Sequence, residues 1–224
     1  MKKSFDIQSV RETIREWHVS GESIALVPTM GNLHKGHLSL LTHAKKIAAK
    51  TVVSIFVNPI QFGHGEDYER YPSSLDEDFS KLAGAGLDLI FVPDLEELYP
   101  GGISDDTRVT VPAISEILCG EFRPGHFSGV ATVVAKLLTN IRPNFALFGD
   151  KDFQQVLVIR RMVEDLLMPV EIISLPTVRE KDGLAMSSRN AHLKVDERLH
   201  AKGIFEALTI MAQKLQDQAS KISI

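Results

Sequence analysis

The stretch Ile24-Ala25-Leu26-Val27-Pro28-Thr29-Met30-Gly31-Asn32-Leu33-His34-Lys35-Gly36-His37 decides the fold. Its first four residues form an apolar run that reads as a short buried strand ending at Pro28. Gly31 permits a turn with positive φ, and Gly36 removes a side chain where a ligand must approach the backbone. Residues 38–49 read as the helix that follows. A helix start offers free N–H groups and a positive dipole end, which suit phosphate oxygens. His34 and His37 are three apart and so face the same side of a helical turn. Two imidazoles placed there can donate hydrogen bonds to an α-phosphate in its transition state. A lone histidine is as well explained by a turn cap or the core; a pair bracketing a glycine after a buried strand points to function.

Working outward, strand and helix alternate. Ile7, Val10, Ile14 and Trp17 recur at helical spacing. Strands are expected over 52–57, 87–92, 145–148 and 170–175, with a more exposed one over 107–111. Helices are expected over 73–83, 127–141 (apolar on most of its circumference, hence buried) and 153–167. This alternation predicts an α/β fold, a doubly wound Rossmann-like parallel sheet with helices on both faces. Ligands in such sheets bind beyond the C-terminal ends of the strands. After Pro176 the chain turns polar, and 195–219 reads as one helical run, the start of a second, smaller unit.

Composition excludes several classes. Hydrophobic residues make up 44% of the 224 residues, enough for a substantial core, and the net charge is −4 with mixed signs. No footprint for nucleic acid or an anionic membrane results. The start Met1-Lys2-Lys3-Ser4-Phe5-Asp6 is followed by no apolar signal core, and no long apolar span occurs, so a cytoplasmic protein is expected. Cys119 is the single cysteine and reads as a buried one; it excludes an internal disulfide and a thiolate zinc site.

Further motifs lie just after the strands. Asn58 and Gln61, around Pro59, are amides suited to hydroxyl and carboxylate recognition, although Asn-Pro is also a common surface turn. In Gly149-Asp150-Lys151-Asp152-Phe153-Gln154-Gln155, Lys151 can place a charge on phosphates, Asp152 fits a helix N-cap, and Gln155 faces the same side. Met186-Ser187-Ser188-Arg189 joins two hydroxyls to a guanidinium, a compact oxyanion binder. In the segment from Arg123, His126 suits a substrate carboxylate or a helix cap. Asp76, Glu77 and Asp78 are best explained by the helix dipole rather than by Mg²⁺. The first motif has neither a Walker ending nor a Gly-x-Gly-x-x-Gly fingerprint. It is similar to the His-x-Gly-His signature of the nucleotidyltransferase superfamily, and residues 186–189 resemble that superfamily's second signature loop.

Five ordered segments, 27–37, 56–62, 123–130, 149–155 and 176–190, together resemble the pantothenate synthetase family over nearly all of residues 1–200. The resemblance implies condensation of (R)-pantoate with β-alanine, with ATP cleaved to AMP and pyrophosphate, Mg²⁺ required and a homodimer formed. It implies that Pro28, Thr29, Met30, Gly31, Asn32, Leu33, His34, Lys35, Gly36 and His37 line the ATP site. Gly149, Asp150, Lys151, Asp152, Val178, Met186, Ser187, Ser188 and Arg189 join them there. Pantoate falls to Gln61 and Gln155, with Asn58, Arg123 and His126 nearby. His37, His34, Lys151 and Arg189 are the candidate catalytic groups; no protein-held metal site is expected. The expected division is a nucleotide- and pantoate-binding domain over 1–176 and a partial lid over 177–224, since family members continue for some tens of residues. Two other classes fit parts of the pattern: a nucleotidyltransferase making a stable dinucleotide, and a non-catalytic ATP-binding core.

Overall fold

Alternate residues along each strand face opposite ways, and here they sort into two separate cores. The computed structural model describes residues 1–63, 65–72 and 74–222. Its elements are β1 (Lys2–Ser4), α1 (Ile7–Val19), β2 (Ile24–Thr29), α2 (Lys35–Ile47), β3 (Lys50–Ile55), α3 (Leu75–Gly84), β4 (Leu89–Phe91) and α4 (Leu95–Leu98). There follow α5 (Cys119–Phe122), α6 (His126–Ile141), β5 (Phe145–Gly149), α7 (Phe153–Asp165), β6 (Glu171–Leu175), α8 (Val195–Ala201) and α9 (Gly203–Ile222). Ile24, Leu26, Val52, Leu89, Phe91, Ala146 and Phe148 point to the face covered by α1, α6 and α7. Ala25, Val27, Val53, Ile55, Ile90 and Leu147 point to the face covered by α2 and α3.

The six strands are all parallel, in the order β1-β4-β3-β2-β5-β6. The expected doubly wound α/β architecture is therefore present. From β2 the chain winds outward through β3 to β4, then crosses back through α6 to lay β5 on the other side of β2. The order reverses between β2 and β5, and a crevice opens there beyond the strand ends. No helix among the described residues is long and apolar enough to cross a membrane.

Several local expectations are corrected. β2 continues through Pro28 to Thr29, pairing in register with Ser54 and Ile55 of β3. The three-residue edge strand β1, Lys-Lys-Ser, carries no apolar signature and was not expected. Residues 107–111 form no strand. The Val109 N–H instead donates to Thr132 Oγ1 of α6 (3.0 Å), and the Val109 carbonyl accepts from Ser128 Oγ (3.3 Å). Side chains of α6 thus take the polar groups that a sheet would have paired. α2 starts three residues early, because His34 caps it. α3 begins at Leu75, and Ser73 lies outside the described residues. The expected single run over 195–219 breaks at Lys202 into α8 and α9. Phe205, just after the break, packs on Gly183 and under the Arg179 guanidinium, 4.1 Å from its ring centre. Cys119 is exposed rather than buried, at the start of the short surface helix α5.

One glycine joins this frame to the crevice. A Cβ on Gly129 would lie 2.7 Å from both Cα and N of Gln61. Gly129 therefore lets α6 approach the turn after β3. Gly129→Ala should lower stability by about 1–3 kcal/mol through overpacking, although alanine is the better helix former by roughly 1 kcal/mol. Gly84→Ala, where a Cβ meets open space, should be neutral or stabilising. Thermal melts of the two variants check the contrast.

Candidate active site

The crevice at the switch point holds a cleft of about 230 Å³. Its floor is the C-terminal ends of β2 (Pro28, Thr29) and β5 (Phe148, Gly149), and one wall is the start of α2. The apolar face of α6 contributes Val130, Val133, Val134 and Leu137. The mouth is bordered by Lys151, Asp152 and Gln155 on one side and by 176–178 and 186–189 on the other.

The loop between β2 and α2 is held from behind. The Asp78 carboxylate, fully buried at the start of α3, accepts the N–H of Asn32 (2.8 Å) and of Leu33 (2.7 Å). Lys81 Nζ donates to the Leu33 carbonyl (3.0 Å), and Ser188 Oγ to the Asn32 carbonyl (3.0 Å). The helix-dipole explanation is thus too weak for Asp78: its carboxylate grips two consecutive amides. Gly31 has φ +84°, as expected of the turn.

That loop delivers His34 to the N-cap of α2. His34 Nδ1 accepts the Gly36 N–H (3.1 Å), and His37 Nδ1 accepts the His34 N–H (3.3 Å), a reciprocal cap built from two imidazoles. A Cβ on Gly36 would sit 2.8 Å from His34 Cε1. What approaches the backbone at Gly36 is therefore the His34 ring as well as any ligand. The two rings stand 4.1 Å apart between centroids, and both line the cleft. Because both Nδ1 atoms accept, the neutral rings carry their hydrogen on Nε2. Burial, aided by the Lys151 charge, holds the His34 pKa below the ordinary value. Burial, then the neighbouring His34, pushes that of His37 down to about 3. Both rings are neutral near pH 7.

Of the expected site residues, Pro28, Thr29, Met30, His34, Gly36, His37, Gly149, Lys151, Asp152, Val178, Met186, Ser187, Ser188 and Arg189 line the cleft, as do Gln61, Gln155, Arg123 and His126. Gly31, Asn32, Leu33, Lys35 and Asp150 do not; the first three form the turn that Asp78 holds. Asn58 is 1% exposed, and its amide is spent inside the protein on Gly129, Gln61 and Tyr99. It backs the site rather than facing it. Asp152 occupies the N-cap of α7 without making the cap hydrogen bond, and its carboxylate lies 3.4 Å from Lys151 Nζ.

His126 is the first residue of α6, and Gly125 is its N-cap. Its Nδ1 lies 2.7 Å from the Gln61 carbonyl, which only accepts, so Nδ1 donates and Nε2 accepts from Arg123 Nη1 (3.1 Å). Burial keeps this ring neutral. With both nitrogens engaged, His126 anchors the Gln61 turn and is not free for a substrate carboxylate. Ser188 likewise gives its hydrogen to Asn32, whereas Ser187 Oγ accepts from the Arg189 N–H and keeps its own hydrogen to donate.

Both cleft arginines are paired with carboxylates from one segment. Arg123 pairs with both oxygens of Glu66. Arg189 forks onto Asp67 at 2.7 and 2.9 Å, beside the Tyr71 ring. These hydrogen bonds hold the Glu66 and Asp67 pKa values below the carboxylate range. Glu66, Asp67, Tyr71 and the α6 wall escaped the sequence reading, which gave Asp78 only a helix-dipole role. Only the wall carried a signal, the all-round apolarity of 127–141. Among the described residues no three of His, Cys, Asp and Glu converge as metal ligands.

The chain resembles known proteins over most of its length. A family model described as pantoate-beta-alanine ligase matches residues 3–223. A pantothenate synthetase of Shewanella sp. (strain ANA-3) is 50% identical over 220 residues, which is 98% of this chain and 78% of that protein. The crystal structure of pantothenate synthetase from Thermus thermophilus superposes with a TM-score of 0.92 at 46% identity, covering 97% of this chain and 77% of that one. The pantoate-beta-alanine ligase of Francisella tularensis, solved with beta-gamma ATP and beta-alanine, gives 0.87 at 41% identity, covering 93% and 79%. With the family model matching nearly the whole of this chain, the chain belongs to the pantoate–β-alanine ligase family of enzymes.

Proposed function

We propose that this cleft condenses (R)-pantoate with β-alanine in two ATP-dependent half-reactions. The pantoate carboxylate attacks the α-phosphorus in line, the bond to the bridging oxygen breaks, and pyrophosphate leaves. The amine of β-alanine then attacks the carbonyl carbon of pantoyl adenylate, the acyl C–O bond breaks, and AMP leaves. The observation that carries this reading is the reciprocal histidine cap, which leaves two Nε2–H donors on rings that line the cleft at the start of α2. Donors fixed before the reaction stabilise charge growing on phosphoryl oxygens without reorganising. Lys151 adds a point charge to the same lining. In this reading His34 and His37 act as neutral hydrogen-bond donors, not as proton-donating imidazolium ions.

The nucleotide takes the floor from Pro28 to Met30, the helix start at Gly36, and the rim at Gly149, Lys151, Asp152, Val178 and 186–189. Pantoate takes Gln61 and Gln155, with the apolar α6 wall against its methyl groups. Arg189 meets the triphosphate by exchanging the Asp67 carboxylate for phosphate oxygens of the same fork geometry. Among the described residues no three of His, Cys, Asp and Glu converge on an ion, so we assign Mg²⁺ to the triphosphate that would carry it. We assign 1–176 to nucleotide and pantoate binding and 177–224 to closure over the phosphates, in a cytoplasmic homodimer.

Isotope exchange between pyrophosphate and ATP, with pantoate present and β-alanine withheld, should be observed; release of ADP would refute the adenylate route. His37→Ala and Lys151→Ala should each lower kcat by about 10²–10³, on the order of 3–4 kcal/mol, as for loss of one oxyanion donor. The pH dependence separates the two histidine roles. A ring whose pKa is pushed down to about 3 stays neutral across pH 5–8, so no His37 limb should appear in kcat/KM there. A proton-donating imidazolium would give a rate that falls as pH rises through the ordinary histidine range. The same shift links to stability. The unfolded chain binds a proton at His37 near pH 6.5 and the folded one only near 3. Stability supplied by the neutral ring is present above 6.5 and lost as pH falls between these values.

A further inference from the structure

The amide of Gln61 reaches the cleft at the end of a buried hydrogen-bond chain. The chain begins at the Gly129 carbonyl, which can only accept. It lies 3.1 Å from Asn58 Nδ2 and so fixes which way the Asn58 amide points. Asn58 Oδ1 therefore faces Tyr99, whose hydroxyl donates to it at 2.8 Å. The second Asn58 N–H faces Gln61 at 3.3 Å, so Gln61 must present Oε1 to it. Gln61 Nε2 is thereby turned outward, beside Met30 Sδ at 3.1 Å, where both side chains line the cleft. A thioether is a weak acceptor, so this N–H₂ group offers its donors to a ligand oxygen.

Tyr99 is itself held tightly. It is 2% exposed. Lys136 Nζ sits 4.1 Å from its ring centre and bonds the Leu98 carbonyl and Asp106 Oδ1, each at 2.7 Å. Phe56 packs on the ring at 6.2 Å between centroids. The phenol points into the molecule at Asn58, away from any ligand. Burial raises its pKa, so it remains a protonated donor.

We propose that Tyr99 is a positioning residue for substrate recognition: through Asn58 it locks the Gln61 amide with its donor end in the cleft, and so selects an oxygen acceptor of the acyl substrate there. The inference rests on the assignment of pantoate to Gln61. If the Tyr99 donor is removed, the Gly129 carbonyl alone holds the Asn58 amide, and the constraint that Asn58 passes on to Gln61 loosens. Of the nucleotide floor at 28–30 only Met30 meets this chain, through its weakly accepting thioether, and the histidine cap lies outside it.

The test measures KM for pantoate and for ATP separately in the full-length protein, with direct pantoate binding by calorimetry. Tyr99→Phe keeps the ring under Lys136 and deletes only the donor. It should raise KM for pantoate about tenfold, the scale of one hydrogen bond, while KM for ATP stays within about twofold, as for an independent site. Asn58→Asp, which cannot donate to Gln61 Oε1 and brings a like charge towards a carboxylate substrate, should weaken pantoate more than Tyr99→Phe does. It carries the same KM comparison if the phenylalanine variant does not fold. An unchanged pantoate KM in a folded Tyr99→Phe protein, or an equal rise in both KM values, overturns the relay. Wild-type protein that binds ATP but no pantoate overturns instead the assignment on which the relay rests.

Discussion

A fully buried carboxylate organises the nucleotide end of the cleft. Asp78 accepts the amides of Asn32 and Leu33, and no water competes for its oxygens. Hydrogen bonds to an ionised, buried acceptor are among the stronger ones in proteins. Their effect here is geometric: they fix the turn that ends β2 and starts α2. Once the turn is fixed, the carbonyl of Asn32 is presented to Ser188, which ties the 186–189 loop to the sheet. His34 is then placed at the helix cap. From the cap follow the acceptor role of both Nδ1 atoms and the Nε2 tautomers, while burial keeps both rings neutral. A carboxylate more than forty residues along the chain thus helps to place two imidazoles it does not touch.

The cleft is electrostatically asymmetric. Its inner end offers neutral donors: two imidazoles and the Gln61 carboxamide. Its rim carries the charges, Lys151, Arg123 and Arg189, and both arginines are bidentately satisfied by Glu66 and Asp67. Holding the guanidinium groups on carboxylates avoids leaving partly buried charges unpaired. A polyphosphate can take the place of a carboxylate on the same fork, whereas an apolar ligand cannot. The neutral inner end suits a reacting phosphoryl group: desolvated donors there are worth more than in water.

The fold was legible in the sequence because its strands announce themselves. Ile24 to Val27, and the β-branched run around Val52 and Val53, admit one reading each, and their alternation with helices dictates the parallel sheet. β1 was illegible because Lys2, Lys3 and Ser4 pair only through the backbone, at an edge. The strand expected over 107–111 failed because β-propensity reports a fit to a half-buried surface, and α6 supplies such a surface without a ladder. At the site, most of the polar residues that line the cleft were readable from their chemistry. Those behind them were not. Asn58 reads as a ligand-facing amide yet is buried, and Asp78 has a sufficient local explanation in its helix start. Which amide turns outward, and which carboxylate turns inward, is decided by partners distant in sequence: Gly129, Tyr99, Asn32 and Leu33.

The central claim is that this buried scaffold keeps His34 and His37 as neutral, Nε2-protonated donors. The most direct measurement is a long-range ¹H–¹⁵N correlation spectrum of the imidazole nitrogens at neutral pH. The account predicts, for both rings, a protonated Nε2 and an unprotonated Nδ1, with His37 unchanged on acidification to about pH 5. An imidazolium pattern at neutral pH, or hydrogen on Nδ1 of either ring, would contradict it.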